Sequence, residues 1–334
     1  MSLDETKSRK PHDRLAKALN GDLAAVDALI RERMSSENAP RIPEVTAHLV
    51  DAGGKRVRPM LTLAAARMFG YDGVDHHRLA ATVEFIHTAT LLHDDVVDES
   101  EQRRGRPTAN LLWDNKSSVL VGDYLFARSF KLMVETGSLR VLDILSDAAA
   151  TIAEGEVLQL TAAANLATTE EVYLKVVRGK TAALFASACE VGGIIASASE
   201  AQIAALRVYG DALGIAFQIA DDLLDYGGDT TATGKNLGDD FRERKLTLPV
   251  IKAIARADAD ERAFWGRTIE KGQQTDGDFD HALSLIANHE TMAATRDEAL
   301  GWSTRAKDAL DVLPDHELRD MMRDLATYVV ARIN

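Results

Sequence analysis

Apolar residues recur at spacings of three and four along most of the chain, and no segment alternates with the two-residue period of a half-buried strand. Helix-forming residues dominate, and only 7 prolines interrupt them in 334 residues. The pattern predicts helices over 12–33, 59–69, 75–99, 115–135, 138–163, 169–177, 179–196, 199–226, 239–256, 259–270, 277–287, 290–312 and 315–332. We therefore expect an all-α protein.

Turn signals separate these helices at Gly53-Gly54, at Gly70 to Gly73 and through the polar, glycine-rich stretch 227–238. The length fits either one large domain or two. The chain has no linker rich in proline, glycine or serine and no repeat of fixed period. These features favour a flexible tail at residues 1–11, followed by a single all-α domain over 12–334.

Composition narrows the possible partners and the compartment. A formal net charge of −13 argues against nucleic acid and against permanent attachment to an anionic membrane surface. The single cysteine, Cys189, suits a reducing compartment, so we expect a cytoplasmic protein. The polar N-terminus lacks the apolar core of a signal peptide. No run reaches about 18 uninterrupted apolar residues, so no transmembrane segment is expected.

Three acids follow an apolar run near the end of the predicted helix 75–99. Asp94 and Asp98 lie at i and i+4 and therefore share one face, with Asp95 at its flank. Two bare carboxylates held so close repel each other, and a hard divalent cation removes that cost. Mg²⁺ takes carboxylate oxygens and completes its shell with water and substrate phosphate. The cluster therefore indicates a magnesium–phosphate site.

The same spacing recurs at Asp221, Asp222 and Asp225, again late in an apolar helix and just before a loop. One such cluster fits a solvated helix end as readily as a metal site. Acids at a helix C-terminus are disfavoured by the helix dipole, by roughly 0.3–1 kcal/mol each at exposed positions. This adverse placement occurs twice, and bound cations would offset it. If the two helices face each other, their carboxylates can hold several Mg²⁺ ions around one diphosphate.

Basic residues accompany the acids at positions that suit anions. Lys55 and Arg58 lie one helical turn apart at a glycine-flanked helix start, where a phosphate is favoured. Arg103 and Arg104 offer two guanidinium forks just after the first cluster. Most surface lysines and arginines only solvate a protein, and that interpretation suits Arg242 and Arg244. Further candidates for binding a phosphate are Lys180 with Thr181 at another helix start, Lys235 in the loop after the second cluster, and His87, two turns before Asp94.

Together these motifs resemble those of the trans-isoprenyl diphosphate synthases, in the order of that family and over roughly residues 50–250. They are Gly53-Gly-Lys-Arg-Val-Arg-Pro59, Asp94-Asp-x-x-Asp98 with Arg103-Arg104-Gly105, Gly179-Lys180-Thr181, Phe217-Gln218-x-x-Asp221-Asp222-x-x-Asp225, and Gly234-Lys235. Segments 84–100 and 153–160 resemble most closely the octaprenyl-type, long-chain members.

The resemblance implies an all-α helical bundle around a deep central cavity, the type I isoprenoid synthase fold, usually as a homodimer. It implies Mg²⁺-dependent, repeated condensation of isopentenyl diphosphate with an allylic diphosphate, farnesyl diphosphate being the expected primer. Transient membrane contact for product release also fits this activity. The diphosphate leaves, the allylic carbocation is attacked by the double bond of isopentenyl diphosphate, and a proton is lost. No side-chain nucleophile is needed, and the released diphosphate is the expected proton acceptor.

Transferred residue by residue, the resemblance assigns metal binding to two aspartates of each cluster, with about three Mg²⁺ ions in the loaded site. The metal ligands are Asp94, Asp98, Asp221 and Asp225, with Asp95 in support. The allylic diphosphate would be bound by Arg103, Lys180, Thr181, Gln218 and Lys235. Isopentenyl diphosphate would be bound by Lys55, Arg58, His87 and Arg104.

Two small residues, Ala89 and Thr90, precede the first acid cluster by about one turn. Short-chain family members tend to carry an aromatic residue there, which resembles a plug, so its absence predicts a long product of C40–C50, the size of a quinone side chain such as that of ubiquinone. The floor of the product cavity would then lie deeper, at the bulky residues Phe126, Phe130 and Met133 of the helix 119–134. Ordinary helix packing explains the small pair equally well.

Three other readings compete with this one. A class I terpene cyclase ionises the same kind of diphosphate but lacks the second diphosphate site that Lys55, Arg58 and Arg104 indicate. An HD-type metal phosphohydrolase built on His93-Asp94 needs further histidine ligands upstream, and His87 lies too near. A non-catalytic partner subunit should carry degraded acid clusters, whereas both clusters are intact. Dependence on isopentenyl diphosphate separates the first alternative from a synthase.

Overall fold

The computed structural model describes residues 10–51, 54–103, 105–227 and 237–332. Nearly all of them are helical, which confirms the predicted all-α class. The helices are α1 (Pro11–Ala18), α2 (Asn20–Arg33), α3 (Arg41–Asp51), α4 (Val57–Met68), α5 (Asp75–Val97), α6 (Ala109–Leu112), α7 (Asn115–Glu135), α8 (Leu139–Ala162), α9 (Glu170–Val177), α10 (Ala183–Ile195), α11 (Glu200–Gly227), α12 (Asp239–Arg242), α13 (Leu248–Arg256), α14 (Ala259–Trp265), α15 (Asp278–Asn288), α16 (Thr291–Ala309) and α17 (Glu317–Ala331).

Shorter elements connect some of these helices. Two turns of π-helix, Arg178–Ala182 and Gly266–Glu270, follow α9 and α14, and a 3₁₀ turn, Leu310–Val312, follows α16. Strands β1 (Gln102–Arg103) and β2 (Arg106–Pro107) form a small antiparallel hairpin between the predicted helices 75–99 and 115–135. Gly105 makes this turn possible because its φ of +73° lies in the left-handed region.

Side chains at several helix starts satisfy the exposed backbone N–H groups. Thr169 accepts a hydrogen bond from the Val172 amide at 3.3 Å and so caps α9; of the two adjacent threonines that suit a cap in the sequence, Thr168 and Thr169, it is Thr169 that does so. Asp114 accepts from the Ser117 amide at 2.6 Å at the start of α7. Asp258 and Glu261 form a reciprocal capping box at α14. Local sequence thus determines where these helices begin.

Two predicted helices are interrupted. The helix predicted over 12–33 divides at Leu19 into α1 and α2. The prediction of one continuous helix over 239–256 was wrong, because α12 ends at Arg242 and α13 begins only at Leu248. Arg244 has a φ of +58°, which ends α12, and Pro249 occupies the first turn of α13, where proline suits a helix start.

The described chain divides into two compact units. The first contains residues up to Ala149 with Leu184–Arg207 and Val312–Leu325, and the second contains Ala150–Ala183, Val208–Asp311 and the C-terminal residues from Ala326. The boundaries fall inside helices α8, α10, α11 and α17 and in the 3₁₀ turn after α16, rather than in linkers. The single domain over 12–334 stays a prediction, and the tail at 1–11 lies mostly outside the described residues.

In the first unit, α4 is buried on nearly all sides. Residues Met60 to Ala66 are inaccessible to solvent, and three successive alanines allow close packing. A Cβ atom added at Gly192 of α10 would lie 2.5 Å from the Thr62 carbonyl oxygen, so only glycine permits this approach. This packing fixes the start of α4, which carries Lys55 and Arg58.

In the second unit, a core of large side chains forms around α13 and α14. Trp265 is fully buried, and its ring contacts those of Phe241 and Phe264 at centroid distances of 6.5 and 5.1 Å. Tyr226, at the end of α11, belongs to the same cluster. Full burial of such aromatic side chains stabilises a fold by about 1.5–3 kcal/mol each. The core therefore anchors the C-terminal end of α11, where the second acid cluster lies.

A charged network joins α2, α4 and α5 in the first unit. Arg67 donates to both carboxylate oxygens of Asp22, at 2.9 and 2.5 Å, and the Nε2 atoms of His76 and His77 lie 3.1 and 2.8 Å from Asp22 Oδ1. Asp22, His76 and His77 are close enough together to share a metal ion. The guanidinium of Arg67 already supplies the positive charge that the carboxylate needs.

We expect Asp22→Asn to destabilise the protein by roughly 3 kcal/mol at pH 7, because it leaves the largely buried network without its carboxylate. Burial opposes ionisation of Asp22, but the bonds from Arg67 and the histidines outweigh it and hold its pKa well below the usual range. Its contribution is therefore present above about pH 4 and is lost as pH falls further.

Burial also lowers the pKa of His76, so stability decreases as pH falls below about 6.5, where the unfolded chain binds a proton first. Chemical denaturation at pH 7, 5.5 and 4 measures both effects. Asp13→Asn, at a more exposed carboxylate, should cause a much smaller change. Equal stability of Asp22→Asn and the wild type at pH 7 would contradict the network's role.

By length and composition alone, α11 passes the test for a membrane-crossing helix, with a mean hydropathy of 1.3 in its most apolar window. However, 61% of that window is buried inside the protein, as in the core helix of a globular fold. This single helix is weak evidence for a membrane span.

Candidate active site

The first acid cluster occupies the last turn of α5. Asp98 caps the helix, and its amide donates to the Asp94 carbonyl oxygen at 2.8 Å. Asp94 is half-buried and Asp98 exposed, and no basic residue occupies this last turn. The helix dipole therefore disfavours both carboxylates unless other positive charge lies nearby.

Asp95 differs from its two neighbours because it is completely buried. Arg103 of β1 donates to Asp95 Oδ1 from Nε at 2.8 Å and from Nη2 at 2.6 Å. The other oxygen, Oδ2, is buried without a hydrogen-bond partner. Asp95 therefore holds the arginine after the cluster, and its supporting role in metal binding stays a prediction.

The hairpin β1–β2 is fixed to the end of α5 by further bonds. Thr108 donates its hydroxyl to the Ser100 carbonyl at 2.7 Å and its amide to the Glu101 carbonyl at 3.0 Å. Arg103 thus projects from a hairpin that is tied at both ends. A cleft of about 410 Å³ adjoins it. Its lining is His48, Leu49, Glu84, Thr88, Leu91, Arg103, Pro107 and Thr108.

The basic residues at the start of α4 make two different sets of contacts. Nη1 of Arg58 lies 3.3 Å from His87 Nε2, and its guanidinium stacks 4.4 Å from the centroid of the Phe185 ring. Two residues predicted to bind the same anion are thereby brought together. Arg56 has instead a largely buried ion pair with Glu84 of α5, and its φ of 49° places it in the left-handed region at the helix cap. Arg56 thus neutralises an acid inside the unit, while Lys55 is exposed.

The second acid cluster lies in the last turns of α11 and is more buried than the first. Asp222 is 4% exposed and accepts two hydrogen bonds, from the Tyr173 hydroxyl at 2.6 Å and from Gln218 Nε2 at 2.9 Å. Burial raises the pKa of Asp222 and that of the Tyr173 phenol. Asp221 is half-buried, so it is the more accessible of the two adjacent acids.

Asp225 binds the chain that follows α11. Its Oδ2 accepts from the Asp240 amide at 3.1 Å, and its carbonyl accepts from the Gly238 amide at 3.0 Å. This aspartate is only 8% exposed. One of its carboxylate oxygens thus organises the start of α12, and the metal-binding role stays a prediction.

A π-turn carries the predicted lysine and threonine. Lys180 Nζ lies 3.0 Å from Glu156 Oε2 of α8, and the Thr181 hydroxyl donates to Gln218 Oε1 at 3.0 Å. A Cβ atom added at Gly155 would lie 2.8 Å from both the Gly179 Cα and the Lys180 nitrogen. The sequence offered no partner for Lys180, although Glu156 stands within the segment 153–160.

We expect Gly155→Val to push the π-turn away from α8, because its branched side chain would collide with backbone atoms. Overpacking of this kind costs about 1–3 kcal/mol. Since the turn carries Lys180 and Thr181, catalytic activity should fall more than the loss of folded protein explains. Thermal melting and initial rates on the same sample check this. Gly301→Ala, where a Cβ meets nothing within 4 Å, is the control.

Arg332, near the C-terminus, was not identified from the sequence. Its guanidinium stacks 4.7 Å from the centroid of the Phe217 ring, just before the second cluster. Burial lowers its pKa, while the negative charge of Asp221 acts in the opposite direction. Arg332 therefore places a positive charge near Asp221. It was not predictable from the sequence, because no motif contains it and a single arginine at the end of a helix does not indicate such a contact.

The residues proposed for product length differ in exposure. Ala89 is fully buried, whereas Thr90 is half-buried and donates its hydroxyl to the His87 carbonyl at 2.8 Å. On α7, Met133 is buried, Phe130 is 42% exposed, and the Phe126 ring lies 6.0 Å from that of His93. Thr90 shares the face of Asp94, one turn away. Arg104 and Lys235 lie outside the described residues.

The donor set of both clusters suits Mg²⁺. Each presents carboxylate oxygens, the ligands that this ion prefers, and neither helix carries a basic residue in its last turn. The orphaned Oδ2 of Asp95 is a further polar atom in need of a partner. Metal binding by Asp94, Asp98 and Asp221 stays a prediction, and the half-buried or exposed positions of these three carboxylates are compatible with it.

Comparison with known proteins agrees with these features. The polyprenyl synthetase family model matches residues 39–286. The octaprenyl diphosphate synthase of Escherichia coli is 44% identical over 317 residues, which cover 93% of this chain and 96% of that protein.

Solved structures show the same fold. The decaprenyl diphosphate synthase of Rhodobacter capsulatus superposes with a TM-score of 0.94 at 73% identity, over 97% of this chain and 99% of that one. A polyprenyl synthase from Caulobacter crescentus, complexed with calcium and isoprenyl diphosphate, gives a TM-score of 0.91 at 50% identity, over 97% and 98%. The type I isoprenoid synthase fold expected from the sequence is thereby confirmed.

Proposed function

Since the chain belongs to the polyprenyl synthetase family and is a prenyltransferase that makes polyprenyl diphosphates, we propose that it is a long-chain, all-trans synthase. It condenses isopentenyl diphosphate repeatedly, head to tail, onto an allylic diphosphate, with farnesyl diphosphate as primer. The product is C40–C50 and supplies a quinone side chain such as that of ubiquinone. The observation that carries the proposal is the acid-rich helix end repeated in both units. Each has an arginine close by, Arg103 at Asp95 and Arg332 near Asp221.

The allylic diphosphate is assigned to Arg103 and to the π-turn. Lys180 supplies a positive charge, and Thr181 and Gln218 lie within hydrogen-bond distance of each other beside it. In the structure both cations contact carboxylates, Arg103 that of Asp95 and Lys180 that of Glu156. These residues orient the reacting end of the allylic chain. Lys235 is assigned to the same diphosphate.

Isopentenyl diphosphate is assigned to the start of α4. Arg58 and His87 are in contact, and Lys55 lies one turn before Arg58 on an exposed surface. Phe185 stacks on the Arg58 guanidinium and limits its orientations. A planar arginine held in this way is preorganised for two hydrogen bonds to phosphate oxygens. Arg104 is assigned to the same anion.

Mg²⁺ is assigned to Asp94 and Asp98 in one unit and to Asp221 and Asp225 in the other, about three ions per site. When bound, it neutralises the charge that develops on the departing diphosphate. The carboxylates hold the ion, Asp95 keeps Arg103 in place, and Lys180 adds a positive charge to the same leaving group. The proton released after each condensation passes to the diphosphate, because a strongly basic side chain would capture the allylic cation.

Product length is assigned to α5 and α7. The small residues Ala89 and Thr90 leave room for the growing chain, and Phe126, Phe130 and Met133 form the far limit. The relatives named octaprenyl and decaprenyl diphosphate synthase, which cover almost the whole chain, support a product of eight to ten isoprene units.

We further propose a cytoplasmic homodimer that contacts membranes only to release its product. Exposed apolar side chains on α7, Leu120 at 66% and Val134 at 63%, support a covered surface on this helix. Sedimentation velocity on the purified protein measures the mass directly. A monomer at micromolar concentration would contradict this assembly.

Incubation of the purified protein with farnesyl diphosphate, isopentenyl diphosphate and Mg²⁺, followed by mass spectrometry of the products, tests the proposed function. We expect polyprenyl diphosphates of C40–C50, formed only when isopentenyl diphosphate and the metal are both present. Conversion of the allylic diphosphate alone into a hydrocarbon would indicate a cyclase. Products no longer than C20 would refute the assigned chain length while leaving the reaction class intact.

A further inference from the structure

A buried chain of hydrogen bonds connects α9, α11 and the π-turn in the second unit. It begins at the Tyr173 hydroxyl, which donates to Asp222 Oδ2 at 2.6 Å. Gln218 Nε2 donates to the other oxygen of Asp222 at 2.9 Å, and the Thr181 hydroxyl donates to Gln218 Oε1 at 3.0 Å. Tyr173, Thr181 and Asp222 are each no more than 5% exposed, whereas Gln218 is half-buried. Water therefore does not substitute readily for the fully buried bond between Tyr173 and Asp222.

Each hydrogen bond in this chain is donated in the direction that leads to Asp222. A carboxylate only accepts, so it selects the NH₂ end of the Gln218 amide, and the amide oxygen must then face the opposite way. That oxygen accepts the single hydroxyl hydrogen of Thr181. The orientation of the amide and the direction of the hydroxyl therefore both follow from where the Asp222 carboxylate is held.

Tyr173 is the group that holds it from outside helix α11. Gln218 lies on the same helix as Asp222, four residues earlier, and moves with it. Tyr173 lies on α9, which leads directly into the π-turn carrying Lys180 and Thr181. Its hydroxyl therefore ties the helix that precedes the turn to the acid-bearing helix at Asp222.

We propose that Tyr173 is a positioning residue for the allylic substrate, acting through Asp222 on Gln218 and Thr181. The inference rests on the proposed function, which assigns those two side chains to the allylic diphosphate. With its hydroxyl hydrogen committed to Gln218, Thr181 fixes the orientation of that amide, and the second N–H of the Gln218 amide is the donor left for a diphosphate oxygen. Tyr173 itself does not touch substrate.

Tyr173→Phe removes the hydroxyl and keeps the ring, so the packing of α9 is preserved. We expect the KM for farnesyl diphosphate to rise about tenfold, the factor that corresponds to one buried hydrogen bond, with a fall in kcat. The KM for isopentenyl diphosphate should stay unchanged. Steady-state kinetics with each substrate varied in turn, at saturating Mg²⁺, measures the difference.

Tyr226→Phe is the matched control, because Tyr226 is equally buried at 5% and lies on α11, yet outside this chain of bonds. It should have wild-type kinetics. Adding Tyr173→Phe to Asp222→Asn should cause little further loss, since both changes break the same chain. Fully additive losses would overturn the proposal.

The remaining outcomes are equally decisive. Wild-type kinetics for Tyr173→Phe, or a uniform loss that matches a lower melting temperature and spares both KM values, would refute the positioning role and leave the proposed function standing. A wild-type protein that transfers no prenyl group would overturn both.

Discussion

Replacing Asp94 by asparagine is expected to lower kcat by about a thousandfold or more at saturating Mg²⁺. Asp94 lies in the last turn of α5, where the helix dipole is unfavourable to a carboxylate and favourable to a cation beside it. Asparagine keeps the shape and one oxygen but loses the charge that binds the ion. Loss of a group that stabilises transition-state charge costs about 10²–10³ in rate for a single neutral donor, and a metal ligand does more.

Stability should change little in this variant, because asparagine keeps the size of the side chain and Asp94 is only half-buried. That combination, an inactive enzyme with a nearly unchanged melting temperature, separates a functional acid from a structural one. Glu99→Gln removes an exposed charge from the same helix end and should retain most of the activity. Near-normal turnover of Asp94→Asn would contradict the assignment of Asp94 as a metal ligand.

Thr90→Phe should convert a long-chain synthase into one that releases products several isoprene units shorter. Thr90 is half-buried and lies one turn before Asp94 on the same face, so an aromatic ring there projects along the path expected for the growing chain. Ala89→Phe should shorten the product as well. Ala89 is fully buried, so the larger ring also costs about 1–3 kcal/mol of stability through overpacking.

Mass spectrometry of the products, together with the rate of isopentenyl diphosphate consumption, measures the effect. The first condensations should proceed at nearly the wild-type rate, because the ring blocks only the later chain. Leu300→Phe, at a position of α16 that is 46% exposed, controls for the added aromatic side chain. An unchanged product distribution in both variants would refute the plug mechanism.

The acid clusters were predictable because two local signals coincide in each of them. Asp94 and Asp98, like Asp221 and Asp225, repeat at helical spacing after an apolar run, and they stand where the helix dipole disfavours them. Most helices were predictable for a similar reason, since their apolar periodicity and caps such as Thr169 are local. Helix α3 was not predicted, although Ile42, Val45 and Leu49 recur at helical spacing along it.

The partners of these residues were not predictable, because tertiary packing selects them. Arg56 and Arg58 are two positions apart and chemically identical, yet one is paired inside the unit with Glu84 and the other contacts His87. Asp95 and Asp222 occupy the same position in the two motifs, and one holds an arginine while the other receives a tyrosine hydroxyl. Nothing in either motif distinguishes them.

The ion pairs of Arg103 with Asp95 and of Lys180 with Glu156 have a consequence for affinity. Both cations are less than a third exposed and already have an anionic neighbour. If Arg103 and Lys180 bind the diphosphate as proposed, the diphosphate has to exchange places with a carboxylate or share its cation, rather than bind an unpaired charge. Such an exchange conserves much of the local charge, and groups this buried are weakly screened by salt. Added salt should thus weaken substrate binding far less than the number of cations around the diphosphate suggests.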